Sequence, residues 1–360
     1  MMKTLYGFLV VVMLVALAAP SVAQEVVSTI AFTSTRDNPD GIPPPLTASS
    51  QLNAFEVYLM DYLGNGQFSA PRRVTENLRG DAFPTLSPDG KGKIVFDSNR
   101  RRAPGEQFNV SDLFLMNHDG TEETFLTRGG SPTWSPPGPH GIASKRIAFH
   151  ASASGTGRAI KIDPGAATTD SDIFVVNVDD LLEEGAQPQN ITNSPLAIDD
   201  DPDWSPDGEK IAFTSHDVND NANNSTTAEI YVMNVDGTEK QRLTFNTEEE
   251  RGPNWSPDGT LIAFMCRRGG PDFEICVMNA DGTGQTQLTS NSFFDGGPTW
   301  SPDGQQIVFN RTVTPPFPQL FVMNANGTGE TQLTAPPGAN LLASSWEKIE
   351  VGQGHPHPHQ

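Results

Sequence analysis

Carboxylates dominate the chemistry this chain could perform. Asp199, Asp200 and Asp201 stand together just ahead of Pro202-Asp203, a run of hard oxygens of the kind that can hold Ca²⁺. Calcium is the one cofactor the residues suggest, with Asp199, Asp200 and Asp201 as its ligands. Asp217-Val218-Asn219-Asp220-Asn221 opens like an EF-hand loop, but Ala222 stands where the sharp turn needs Gly. Ala228 replaces the closing Glu, so that motif is excluded. His150 and His216 come from separate segments and are the pair on which a metal-assisted enzyme would have to build. Alternating His355, His357 and His359 lie in a Pro-rich tail, for which disorder is the expectation. No Gly-x-Ser-x-Gly elbow, His-Glu-x-x-His helix, phosphate loop or Cys-x-x-Cys pair occurs, so no catalytic residue is assigned.

Two further constellations bear on chemistry. Arg267 and Arg268 are adjacent in a short Gly-rich segment and could grip carboxylates through bidentate contacts. Cys266 and Cys276 lie ten residues apart across the same segment. Export would favour a disulfide between them, and pairing needs Cα atoms within about 7 Å. The sequence leaves two readings open: a bridge, or two small buried apolar residues.

These groups need elements to position them, and composition limits which. Gly 33, Pro 30 and 36% hydrophobic residues favour many short strands and turns. A formal net charge of −21 repels nucleic acid and disfavours anionic membrane surfaces. Lys3, the apolar run from Phe8 to Ala19 and the small residues Ser21-Val22-Ala23 read as a secretory signal over residues 1–23. That run is too short to span a hydrocarbon core of roughly 30 Å, and no later stretch could. The expected product is an exported monomer, periplasmic or secreted, with no membrane span.

Repetition decides the fold. Pro202-Asp203-Trp204-Ser205-Pro206-Asp207-Gly208 recurs at Pro253–Gly259 and Pro298–Gly304, at Pro84–Gly90 with Leu86 for Trp, and at Pro132–Gly138 without the Asp. Each copy is followed by an Ile-Ala-Phe-like run, such as Ile211-Ala212-Phe213, then one like Ile230-Tyr231-Val232-Met233-Asn234. Later copies add Arg242-Leu243-Thr244, Gln287-Leu288-Thr289 or Gln332-Leu333-Thr334. Four short strands, a to d, form each unit, with Asp-Gly turns joining a to b and c to d. The repeated Asp is therefore a hairpin residue, not a ligand array. The spacing of Leu86, Trp134, Trp204, Trp255, Trp300 and Trp346 is blade-sized, and all five Trp occupy one position, which marks them as core. The N-terminal portion begins at strand b (Ile30-Ala31-Phe32), and Ser344-Ser345-Trp346-Glu347 is a lone strand a. The expectation is an all-β, six-bladed propeller over residues 24–350, its last blade closed by both chain ends so that no edge is left.

The Trp-Ser-Pro-Asp-Gly, Ile-Ala-Phe, Ile-Tyr-Val-Met-Asn and Gln-Leu-Thr runs resemble the repeat of the TolB-type β-propellers. The resemblance implies a lone propeller, since no counterpart of that family's N-terminal domain precedes the first strand. Prolyl-oligopeptidase relatives are similar in the propeller but need a hydrolase domain that is absent here. Connectivity sorts the loops by face. Turns a–b and c–d share one side and are short and alike. The b–c segments (35–54, 97–111, 150–171, 215–228, 266–273 and 310–319) and the d–a segments (76–83, 193–201, 245–252 and 290–297) share the other and vary. Binding residues ride on variable loops held by a scaffold. The expected ligand face, around the central channel, carries Asp81, Asp199, Asp200, Asp201, Asp295, Arg267 and Arg268, and its expected partner is a protein or peptide. Alternatives are a glycan-acting, lyase-like propeller enzyme and a purely structural envelope component.

Overall fold

Six four-stranded antiparallel sheets follow from the repeat. A computed structural model of the chain describes residues 28–35, 55–76, 80–101, 111–137, 145–151, 171–183, 185–194, 197–217, 228–314, 317–335 and 340–348. The expected signal segment 1–23 and the expected tail 351–360 lie outside the described residues.

Blade 1 comprises Asp81–Leu86, Lys93–Ser98, Asp112–Asn117 and Thr124–Arg128. Blade 2 comprises Gly130–Trp134, Arg146–Ala151, Asp172–Asn177 and Gln189–Asn190, with one short helix, Val178–Glu183, in its c–d connection. Blade 3 runs Ala197–Trp204, Lys210–Asp217, Glu229–Asn234 and Gln241–Arg242. Blade 4 runs Glu250–Trp255, Leu261–Cys266, Glu274–Asn279 and Thr286–Gln287. Blade 5 runs Asp295–Trp300, Gln306–Thr314, Phe317–Asn324 and Thr331–Gln332. Blade 6 is composite: Asn340–Glu347 pairs with Ser28–Ser34, which pairs with Glu56–Tyr62 and then Arg72–Arg73. Each strand a contacts the strands a of both neighbouring blades, so the six form the inner wall of a closed ring.

The core lies between blades. In strand b, Ile211 and Phe213 join Trp204 against Ala148, Ile173 and Val175 of blade 2. The intervening Ala212 faces the other way, onto Trp255, Ile262 and Phe264 of blade 4. Alternation along one strand thus feeds two interfaces, with a small residue beneath the next blade's Trp. Ala263 meets Trp300 in the same manner, and Val308 meets Trp346. The a–b turns are Asp-capped: the hydroxyls of Ser256 and Ser301 donate to Asp258 and Asp303 at 2.7 and 2.6 Å, and the Thr260 and Gln305 N–H groups donate to the same carboxylates. Thr238 and Thr283 cap Asp236 and Asp281 of the c–d turns in the same way, and these bonds hold Asp258, Asp236 and Asp281 below the usual carboxylate range.

Strand a is longer than the Pro-x-Trp-Ser signature indicates. The expectation that Asp199–Asp201 belong to a loop is corrected: they lie in an eight-residue strand, with Asp199 opposite Ser215 and Asp200 opposite Thr214. Asp81, Glu250 and Asp295 likewise open strands and do not belong to the d–a loops. The extra residues come from backbone pairing upstream of a bulge, which hydrophobic patterning does not reveal.

Candidate functional site

A bulge shapes the inner wall where it meets the b–c/d–a face. Register shifts fall at Ala82/Thr85, Gly130/Thr133, Asp200/Asp203, Arg251/Asn254 and Gly296/Thr299. In all five the residue before Pro is left-handed: Phe83, Ser131, Asp201, Gly252 and Gly297, with φ of 49°, 46°, 49°, 58° and 58°. Gly tolerates this conformation freely, whereas Phe, Ser and Asp are strained by it. Bulges re-aim side chains, and here they turn the wall toward the axis. The preceding blade caps the bulge. Thr214 Oγ1 accepts from Gly252 N–H at 3.0 Å, and the Asp97 carboxylate accepts from Ser131 N–H.

Carboxyl groups divide into two sets. The first set seals the seams between blades and has cations. Arg100 reaches Asp81 at 2.7 Å, Lys240 reaches Asp199 at 3.3 Å, and Arg268 lies 4.0 Å from Glu250. Arg311 grips Asp295 through two bonds of 2.7 Å. The Ser98 hydroxyl donates to Asp81 at 2.6 Å, and Ser215 donates to Asp199 from the paired strand. Beside these acids a Thr latch recurs. Thr75, Thr192, Thr244, Thr289 and Thr334 accept the N–H of Val57, Ile173, Ile230, Ile275 and Leu320, and each donates its hydroxyl to the side chain of the residue just before that N–H. Burial and the neighbouring Glu250 push Glu229 up to about 7, and burial raises Glu250 as well.

The second set is built around Asp203 and Glu347, which interact across the ring. Asp203 accepts from Trp255 N–H at 2.7 Å, Asn254 Nδ2 at 3.2 Å and Thr133 Oγ1 at 3.3 Å, tying three blades together. Glu347 stands on blade 6, diametrically opposite blade 3 in the ring. Burial and then the Asp203 carboxylate push it up to about 8. Burial likewise takes Asp203 to about 7 and Asp97 to about 8. Burial and then Asp201 raise Asp200 well above the ordinary value. Among the described residues, no Lys or Arg is ion-paired with Asp97, Asp200, Asp201, Asp203 or Glu347. Arg251 of blade 4 acts on both Asp200 and Asp201 and is itself ion-paired with Glu249.

The expected ligand residues are thus split. Asp81, Asp199 and Asp295 are fully buried seam residues committed to partners inside the protein. Arg267 contacts Glu249 at 3.1 Å and lies 4.5 Å over the Phe273 ring. It lines an open cavity of about 480 Å³ with Glu248, Glu249 and Gly269. Arg268 is bound to Gln285. Asp200 and Asp201 are in no ion pair among the described residues, and the Ser131 hydroxyl of blade 2 donates to Asp201 at 3.3 Å. Among the described residues no group of three or more His, Cys, Asp and Glu is placed to hold a metal ion, Asp199–Asp201 included. His150 and His216 both have an enclosed Nδ1 without a partner, and burial lowers both. The sulfurs of Cys266 and Cys276 are bonded, with Cα atoms 5.9 Å apart.

Sequence reasoning missed Asp97, Asp203 as an axial group, and Glu347. The usable signal was position. Asp97 and His150 directly follow the Phe of strand b, and Glu347 stands where the other inner strands have Ser.

A family model described as the TolB beta propeller domain matches residues 165–349. An uncharacterised protein of Agrobacterium fabrum is 29% identical over 242 residues, 63% of this chain and 67% of its own length. The Tol-Pal system protein TolB of Alcanivorax borkumensis is 35% identical over 69 residues, 19% of this chain and only 14% of that protein. Among solved structures, TolB from Acinetobacter baumannii superposes with a TM-score of 0.61 at 20% identity, covering 89% of this chain and 66% of that one. A putative TolB from Agrobacterium tumefaciens gives 0.57 at 18%, covering 89% and 93%. At these identities the structural likeness concerns the fold.

Proposed function

The chain belongs to the TolB β-propeller family, and from that premise we propose that it is an exported propeller that binds a protein or peptide on its b–c/d–a face. One observation carries the reading. Of the five large apolar side chains exposed among the described residues, Phe245, Phe293 and Phe294 lie on d–a segments and Val313 lies at the b–c end of strand Gln306–Thr314. Only Leu182, on the short helix, lies elsewhere. Phe245 is 76% exposed, a cost in hydrophobic hydration that a covering partner would remove. The Arg267 cavity opens on the same d–a and b–c segments and sets polar, orienting groups beside these apolar anchors. The opposite face offers capped turns of nearly uniform build.

A crosslinking pull-down from the native extracytoplasmic fraction tests this. A Phe245→Ser/Phe293→Ser variant should lose the captured partner, while Glu209→Lys on the turn face should keep it. Melting temperatures are compared to confirm that both variants are folded. Loss with the turn-face variant alone would place the binding surface on the other side.

A further inference from the structure

We propose that the ligand face takes an extended peptide segment off the axis, over blade 4 and its seam with blade 5, where Arg267 receives one Asp or Glu side chain of the segment and apolar residues beside that acid cover Phe245, Phe293 and Phe294. The inference rests on the reading of the propeller as a protein- or peptide-binding module, and it names where on the face the segment lies and what it carries.

The exposed apolar groups of this face belong to one sector. Among the described residues they are Phe245, Phe293, Phe294 and Val313, between the end of blade 3 and blade 5, and blades 1, 2 and 6 contribute none. Contacts make the surface continuous. Phe245 opens the segment whose Thr247, Glu248 and Glu249 line the cavity of about 480 Å³ together with Arg267. Arg267 lies over the Phe273 ring, and Phe273 meets Phe294 edge to face with centroids 5.8 Å apart. Thr312 N–H donates to Phe294 O at 3.0 Å, which sets Val313 beside them. Between the two aromatic ends, Gly269 and Gly270 leave open space: a Cβ on either would meet nothing within 4 Å. A segment can therefore cross the cavity from Phe245 to Phe294.

The charge it carries there follows from Arg267. In Arg73, Arg100, Arg242, Arg251 and Arg311 the Nε–H donates to an acceptor inside the protein. In Arg267 it is enclosed and has none, while the side chain as a whole is 32% exposed. Its ion-pair partner, Glu249, is already held by Arg251, so two guanidinium groups share one buried carboxylate. Turning the Arg267 fork toward a ligand thus breaks no bond at Nε, and a fork so presented matches a carboxylate in bidentate fashion. Glu248 lines the same cavity and opposes an anion, although its Oε1 accepts the Gly269 N–H at 3.3 Å. That opposition, with a net charge of −21 on the chain, favours a single acid set among apolar residues over an acidic run.

Selection of a phage-displayed library of random dodecapeptides on the full chain tests the proposal. Enriched sequences should set one Asp or Glu among aromatic or aliphatic residues. Titration calorimetry with an enriched peptide then reads the contacts. Arg267→Met, which leaves Glu249 its bond to Arg251, should weaken binding by about tenfold, and so should replacing the peptide's acid by its amide. Both changes together should cost little more than either alone, a coupling that a merely structural role for Arg267 would not produce. Phe245→Ser/Phe293→Ser should weaken binding of the same peptide, and Glu248→Gln, which keeps an acceptor for Gly269 N–H, should tighten it. Enrichment of basic sequences or of apolar ones without an acid, additive losses, unchanged affinity in the Phe or Glu248 variants, or no enriched peptide overturns the proposal. The pull-down decides the binding face separately in each of these cases.

Discussion

The indole N–H of Trp346 donates to Ser28 Oγ at 2.7 Å across a sequence separation of 318 residues. This bond joins the last inner strand to the first strand b, in the blade that both ends of the ring share. Trp346 also packs with Tyr62 and Phe68 and completes the apolar layer of Ile30, Phe32 and Val308.

Ring closure is therefore open to direct test. Trp346→Ala should cost about 3–5 kcal/mol, since it removes a buried indole and its hydrogen bond. Removing residues 341–360 should cost more, because it also strips strand b of its partner over Ser28–Ser34. Chemical denaturation of both variants gives the values. A truncated chain as stable as the full one would exclude closure by this blade.

The Thr latch predicts a different signature. Thr244→Val keeps shape but leaves Ile230 N–H without its acceptor and Glu229 with Arg242 but without the Thr244 hydroxyl, a loss of about 1–3 kcal/mol. Thr244→Ser should recover most of it. Hydrogen exchange at Ile230 should rise in the Val variant alone.

The disulfide makes a prediction of its own. Unreduced chain denatured in the presence of a thiol reagent should show no reactive thiol, and reduction should expose two. Cys266 and Cys276 face blade 3 within a fully buried layer, so replacing both by Ala removes the cross-link and some packing. The expected cost is about 2–4 kcal/mol. Two thiols before reduction would rule the bridge out.

Buried acids with raised pKa set the pH dependence. Asp97 and Glu347 hold protons up to about pH 8, Asp203 and Glu229 up to about 7, whereas the unfolded chain releases them near pH 4. The folded state therefore binds more protons between these limits, and stability falls as pH rises from about 4 to 8. The turn aspartates act in the opposite sense at the acid end, losing their contribution below the usual carboxylate range. The melting temperature should be higher at about pH 5.5 than at about pH 8.5. Asp97→Asn with Glu347→Gln should flatten that slope. A melting temperature that rises across the window would contradict the assignment.

The repeat was legible because its causes are local. Strand type follows from alternation within Ile-Ala-Phe, the turns from Asp-Gly, and the blade count from five Trp and one Leu at a single position. Closure was legible too, since a leading strand b and a trailing strand a leave only one arrangement without an edge. The fates of the acids were not. Asp199, Asp200, Asp201 and Asp203 are near neighbours in one strand, yet Asp199 turns to Lys240 at a seam while Asp203 meets the next blade's Trp255 N–H, 52 residues away. A bulge between Asp200 and Asp203 shifts the register and breaks the simple alternation that would have sorted them. Which carboxylate gains a cation depends on side chains of its own blade, while which one meets another blade's N–H or carboxyl depends on neighbouring and opposite blades. Only closing the ring brings the latter groups together, because burial and contact between blades are properties of the assembled ring and are carried by no single repeat.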